Sequence, residues 1–181
     1  MDIRSVALGL AMGLILTACD MSVDAVSGPG ASLGLQANGV SASAFVTGSG
    51  HFYSQARQGW RTFSINGKVM PDGSVDGTWQ LRVHRPGGGG AKLRGRVTCM
   101  VIEGNRAWLA GIVEHAASSG NVGKAYGFKV VDNGQGQSAV PDQFASRRFP
   151  PSADGYCADK PDDVAHPVHD MEAGNIQVHG G

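Results

Sequence analysis

From Ala44 onward apolar and polar residues alternate with a period of two, the pattern of strands buried on one face. Between Arg61 and Met70, Phe63, Ile65 and Val69 share one face, while Thr62, Ser64, Asn66 and Lys68 share the other. Pro71-Asp72-Gly73 predicts a turn, because proline presets φ for a type I turn and glycine accepts the left-handed position after it. The next segment, Ser74 to His84, puts Val75, Trp79, Leu81 and Val83 on one side and Asp76, Thr78, Gln80, Arg82 and His84 on the other. Pairing Met70 with Ser74 sets Val69 against Val75, Ile65 against Trp79 and Phe63 against Leu81. A one-residue slip would put the two apolar faces on opposite sides, so the register is strongly specified.

Arg85 to Ala91, with four consecutive glycines, reads as a loop. Lys92 to Ile102 predicts a strand with Leu93, Val97, Cys99 and Val101 inward and Arg94, Arg96 and Thr98 outward. Gly104-Asn105 fits a two-residue hairpin turn that opposes Val101 to Trp108, Cys99 to Ala110 and Val97 to Ile112. Arg106 to His115 is apolar on both faces near Leu109, so this strand is expected to be central or covered. Gly123 to Asp132 predicts a further strand through Tyr126, Phe128 and Val130, closed by Asp132-Asn133-Gly134. A proline-rich stretch, 137–173, reads as irregular, and Gly174 to His179 as a short closing strand. The expected fold is all-β: one domain over 44–181, an antiparallel meander of about seven to eight strands forming a small β-barrel or a two-layer sandwich. A barrel is preferred, because a strand at the end of the chain can pair with the first and remove an exposed edge.

The residues before this domain have another character. Arg4 precedes a short apolar run, Val6 to Leu16, which is below the roughly 20 residues needed to span a bilayer. It suits the apolar region of a signal peptide. The run ends in Leu16-Thr17-Ala18-Cys19, which resembles the lipobox of bacterial lipoproteins. That resemblance implies removal of residues 1–18 and attachment of lipid to the Cys19 sulfur. Several acyl chains, at about 0.8 kcal/mol per buried methylene, make such an anchor very slow to release. The expected location is the cell envelope on the exported side. Asp20 resembles an inner-membrane retention signal of enteric bacteria, a rule other lineages do not share, so inner and outer membrane both stay open. Residues 19–43, rich in Ser, Gly, Ala, Val and Asn, read as a flexible tether with a reach of roughly 25–30 Å.

Charge and cysteine content narrow the function. Fifteen basic and fifteen acidic residues cancel, which argues against a nucleic-acid partner. With Cys19 set aside, Cys99 and Cys157 are the remaining pair, and an exported domain favours a disulfide between them. The alternative is a buried Cys99 and a free loop thiol at Cys157. The Gly-x-Ser-x-Gly spacing at Gly30 to Gly34 falls in the stretch read as a tether rather than on a strand-to-helix turn, and no nucleophile-base pair stands out, so no catalytic residue is assigned. Asp132, Asn133 and Asp142 offer hard oxygen ligands around a glycine turn and are the candidate calcium ligands, against the simpler reading of a turn braced by Asp142. His166, His169 and Asp170, joined through the fold by His179, form a weaker candidate zinc set. Arg94, Arg96, Arg82 and His84 read as a solvated cationic face. Trp60, Trp79 and Trp108 read as core rather than as sugar-stacking platforms.

Several turns and strand ends carry a further likeness: Gly48-Ser49-Gly50-His51-Phe52, Arg96-Val97-Thr98-Cys99, Gly104-Asn105-Arg106-Ala107-Trp108, Val131-Asp132-Asn133-Gly134 with Pro141-Asp142-Gln143, and Gly174 to His179. Over about residues 46 to 179 the chain resembles the post-COAP-1 type of exported bacterial C-terminal domain, which implies a fold and no chemistry. The function expected from all this is a membrane-anchored, non-catalytic envelope module that binds or supports a partner. The alternative is a lipocalin-like carrier of a small apolar ligand.

Overall fold

The structure, a computed structural model, describes residues 44–55, 58–135, 140–162 and 168–180. The expected signal 1–18, the expected lipidation site Cys19, the stretch 19–43 read as a tether, and His166 lie outside them.

Nine strands form one antiparallel sheet: β1 (Ala44–Ser54), β2 (Gly59–Val69), β3 (Val75–His84), β4 (Gly90–Glu103), β5 (Arg106–Ala116), β6 (Ala125–Val131), β7 (Gln143–Arg148), β8 (His169–Asp170) and β9 (Ala173–His179). Strands β1 to β8 follow one another as neighbours, and β9 returns to the free edge of β1, so the sheet curls into a barrel-like shape. The expected pairing of the last strand with the first is present, from Phe45 opposite His179 to His51 opposite Ala173. A 3-10 turn at Ser119–Asn121 and a short helix, α1 (Ala153–Asp159), lie outside the sheet. No helix among the described residues is long and apolar enough to cross a membrane.

The β2–β3 hairpin has the register its alternation demands: Val69 faces Val75, Ile65 faces Trp79 and Phe63 faces Leu81. Its turn is closed by Met70 N–H on the Ser74 carbonyl at 2.8 Å, with Gly73 at φ 80° in the region that an L side chain would resist. Inward residues from every long strand meet in the middle of the curl. Phe63 stacks on Phe144 with ring centres 3.9 Å apart, and Trp79 stacks on Tyr126 at 5.3 Å and meets Phe128 edge-on at 5.0 Å. Leu81, Leu109, Val46 and Ile176 fill the space around these rings.

Three expectations need correction. Cys99 and Val101 point outward, not inward, because Thr98 is an extra residue on β4: Val97 pairs with Gly111 rather than Ile112, and Cys99 pairs with Ala110. This bulge reverses the parity of the strand, so that Met100 takes the inward position. The stretch 137–173 is not irregular throughout; it contains β7, α1 and β8. Strand β7 lacks a clean apolar alternation in the sequence because Ser146 and Arg148 occupy inward positions that apolar residues would otherwise mark. Helix α1 has only seven residues, capped by the Ser152 hydroxyl, which accepts the Gly155 N–H at 3.0 Å. Trp60 is not core: it is 40% exposed.

The second apolar face of β5 explains itself. Ala107, Leu109 and Val113 look into the curl, while Trp108, Ala110 and Ile112 look out and are covered by Ala153, Tyr156 and Cys157 of α1. Gly127 of β6 makes this fit possible, since a Cβ there would lie 2.7 Å from the Tyr156 ring. The chain after α1 stays on the same face. Trp108 donates its indole N–H to the Pro161 carbonyl at 3.2 Å, and Asp162 pairs with both Lys129 and Arg106. Burial and the neighbouring Arg106 guanidinium pull Lys129 below the usual lysine value; the Asp162 carboxylate acts in the opposite sense.

Candidate binding site at the arginine end of the sheet

The residues singled out in the sequence do not gather into one site. Cys99 on β4 and Cys157 on α1 are joined as a disulfide, with Cα atoms 6.2 Å apart. The bridge fastens the helix to the outer face of the sheet, over the Trp108 cluster.

Asp132, Asn133 and Asp142 do come together, at the seam where β9 leaves its outer edge unpaired by any strand. Each carboxylate there accepts backbone N–H groups with both oxygens. Asp142 Oδ2 accepts Ile176 N–H at 2.7 Å and Oδ1 accepts Asn133 N–H at 2.8 Å. Asp132 Oδ2 accepts Val178 N–H at 2.9 Å and Oδ1 accepts Gly134 N–H at 2.9 Å. Asn133 donates its side-chain N–H to the Pro141 carbonyl at 2.7 Å. Two side chains thus serve alternate N–H groups of β9, as a neighbouring strand would. Every carboxylate oxygen faces the positive end of an N–H dipole, an arrangement suited to the turn-and-brace role and poor for a cation. Among the described residues no group of three or more His, Cys, Asp or Glu side chains is placed to hold a metal.

The other candidates are dispersed. His169 stacks on Phe52 with ring centres 4.9 Å apart, Asp170 accepts from Gln143 at 2.8 Å, and His179 lies at the far end of β9 against Phe45. Arg82, Arg94 and Arg96 stand exposed on the outer face, with Arg96 3.9 Å from Glu114.

A recess not anticipated from the sequence opens at the end of the sheet where β2, β4 and β6 begin and β3 and β7 end. Its volume is about 370 Å³, and it is lined by Arg61, Arg85 and Arg148 together with Val83, Ala91, Leu93, Tyr126, Ser146 and Asn121. Strand parity places the two strand arginines there. Arg61 shares the inward face with Phe63 and Ile65, and Arg148 shares it with Phe144, opposite Tyr126. Arg61 is buried to 5% exposure, and its Nη1 donates to the carbonyls of Gly59 at 3.1 Å and Trp60 at 3.2 Å. Those bonds set the orientation of the guanidinium. Arg85, just beyond β3, and Arg148 are exposed. Parity carried this signal in the sequence: Arg61 lies two residues before Phe63, on the same face.

No family model, curated protein or solved structure matches the chain.

Proposed function

We propose that the chain is a lipid-anchored envelope protein whose β domain is a non-catalytic binding or support module of the post-COAP-1 type. In this reading Cys19 carries the lipid, residues 1–18 are removed and residues 19–43 form the tether. The observation that carries the proposal is the Cys99–Cys157 bridge, because a disulfide persists in exported domains and is reduced in the cytosol. A lipobox-like segment ahead of a disulfide-bearing β domain is consistent from end to end. The carrier alternative is less favoured, since Phe63, Trp79, Tyr126, Phe128 and Phe144 occupy the middle of the curl where an apolar ligand would sit.

Metabolic labelling with an alkyne palmitate tests the anchor. The product should take up label, and Cys19→Ser should abolish it and leave the leader attached. An unlabelled wild-type product would overturn the proposal.

A further inference from the structure

We infer that the arginine-lined recess binds a small organic anion: an oxyanion group, phosphate monoester or carboxylate, carried on a compact apolar body. The inference does not depend on how the chain is anchored, and its test is separate from that of the lipid.

The lining divides by chemistry. Arg61, Arg85 and Arg148 supply three guanidinium groups, each charged at any physiological pH and each shaped for forked hydrogen bonds to an oxyanion. No carboxylate is found among the described residues that line the recess. Val83, Ala91, Leu93 and the Tyr126 ring form an apolar wall beside them, and the Ser146 hydroxyl and Asn121 amide add polar contacts. A volume of about 370 Å³ falls within the range of small-ligand pockets.

An anion that binds the recess of the folded protein should stabilise the fold as it binds. Arg61 is already held by two backbone carbonyls, so little of its freedom remains to be lost. The chain as a whole is neutral, with fifteen residues of each sign, which leaves no general attraction for polyanions. Arg61, Arg85 and Arg148 line one recess of small-ligand size, which favours a small ligand over a nucleic acid.

Isothermal titration calorimetry of the full chain provides the test, with phenyl phosphate, benzoate, inorganic phosphate, benzyl alcohol and benzylamine as probes. Phenyl phosphate or benzoate should bind at one site, and whichever is tighter identifies the oxyanion. Inorganic phosphate and benzyl alcohol should each be at least tenfold weaker, and benzylamine should give no binding heat. Arg148→Gln and Arg85→Gln, both at exposed positions, should each weaken the better probe at least tenfold with the circular dichroism spectrum unchanged. Arg94→Gln, on the outer face, should leave its affinity as it was. The inference is overturned if neither aromatic anion binds, if inorganic phosphate binds as tightly as phenyl phosphate, or if the two rim variants bind like wild type.

Discussion

Replacing Asp142 with alanine removes the acceptors of two backbone N–H groups at once, those of Asn133 and Ile176. The side chain is 7% exposed and Ile176 is fully buried, so water cannot readily take over the second bond. A hydrogen bond to a charged group contributes about 1.5–3 kcal/mol, and a buried donor left without a partner costs about 1–3 kcal/mol. These overlapping contributions give a loss of about 3 kcal/mol for Asp142→Ala. For a domain of about 140 residues the unfolding entropy is roughly 0.3 kcal/mol per kelvin, so the midpoint should fall by about 10 °C. Asp132→Ala is the internal gauge: its bonds to Val178 and Gly134 are more exposed, and its loss should be about half as large. Asp142→Asn keeps one acceptor oxygen but turns an amide N–H₂ toward a second donor, so it should fall between wild type and alanine. Urea unfolding followed by circular dichroism measures all three, and hydrogen exchange should show the Ile176 amide losing protection in Asp142→Ala. A loss below about 0.5 kcal/mol, or one no greater than for Asp132→Ala, would refute the idea that these carboxylates stand in for a missing strand.

Two further predictions concern the covalent link and the β2–β3 turn. Converting Cys99 and Cys157 together to alanine opens a loop with a sequence separation of 58, for which chain entropy gives up to about 4 kcal/mol; denaturant unfolding should show a loss of about 2–4 kcal/mol, with Trp108 fluorescence shifted as α1 loosens. At the β2–β3 turn, bonds from the Ser74 hydroxyl and backbone N–H hold the Asp72 carboxyl below its ordinary 3.8. A carboxyl lowered in the folded state stabilises above its unfolded value and stops doing so as pH falls through the folded one, so Asp72→Asn should flatten the stability profile below pH 3.8 and leave its slope near neutrality unchanged.

The strands that were legible are those whose alternation is uninterrupted. Phe63, Ile65, Trp79 and Leu81 announce both the faces and the register of β2 and β3, because only one pairing keeps all four on the same side. Legibility ends where an extra residue enters. Nothing about Thr98 marks it as the bulge, so alternation alone puts Cys99 and Val101 on the wrong face even though the hairpin turn pairs them correctly with Ala110 and Trp108. Strand β7 was hidden by the polar residues it turns inward, and those same residues make the recess. The aspartates at the seam were visible as a cluster, but their role depends on the bare edge of β9, which sequence spacing does not show. Trp60 illustrates the same limit from the other side: it lies beside His51 and Tyr53 on the outer surface, and its aromatic character alone suggested core.

The pairing of β1 with β9 joins residues some 130 positions apart. Bringing such distant segments together carries a loop-closure cost of about 4 kcal/mol before any contact compensates it. A chain that emerges amino end first therefore presents β1 with one uncovered row of amides until its final segment arrives. During that interval the same row is available to another copy, so refolding yield should decline as protein concentration rises.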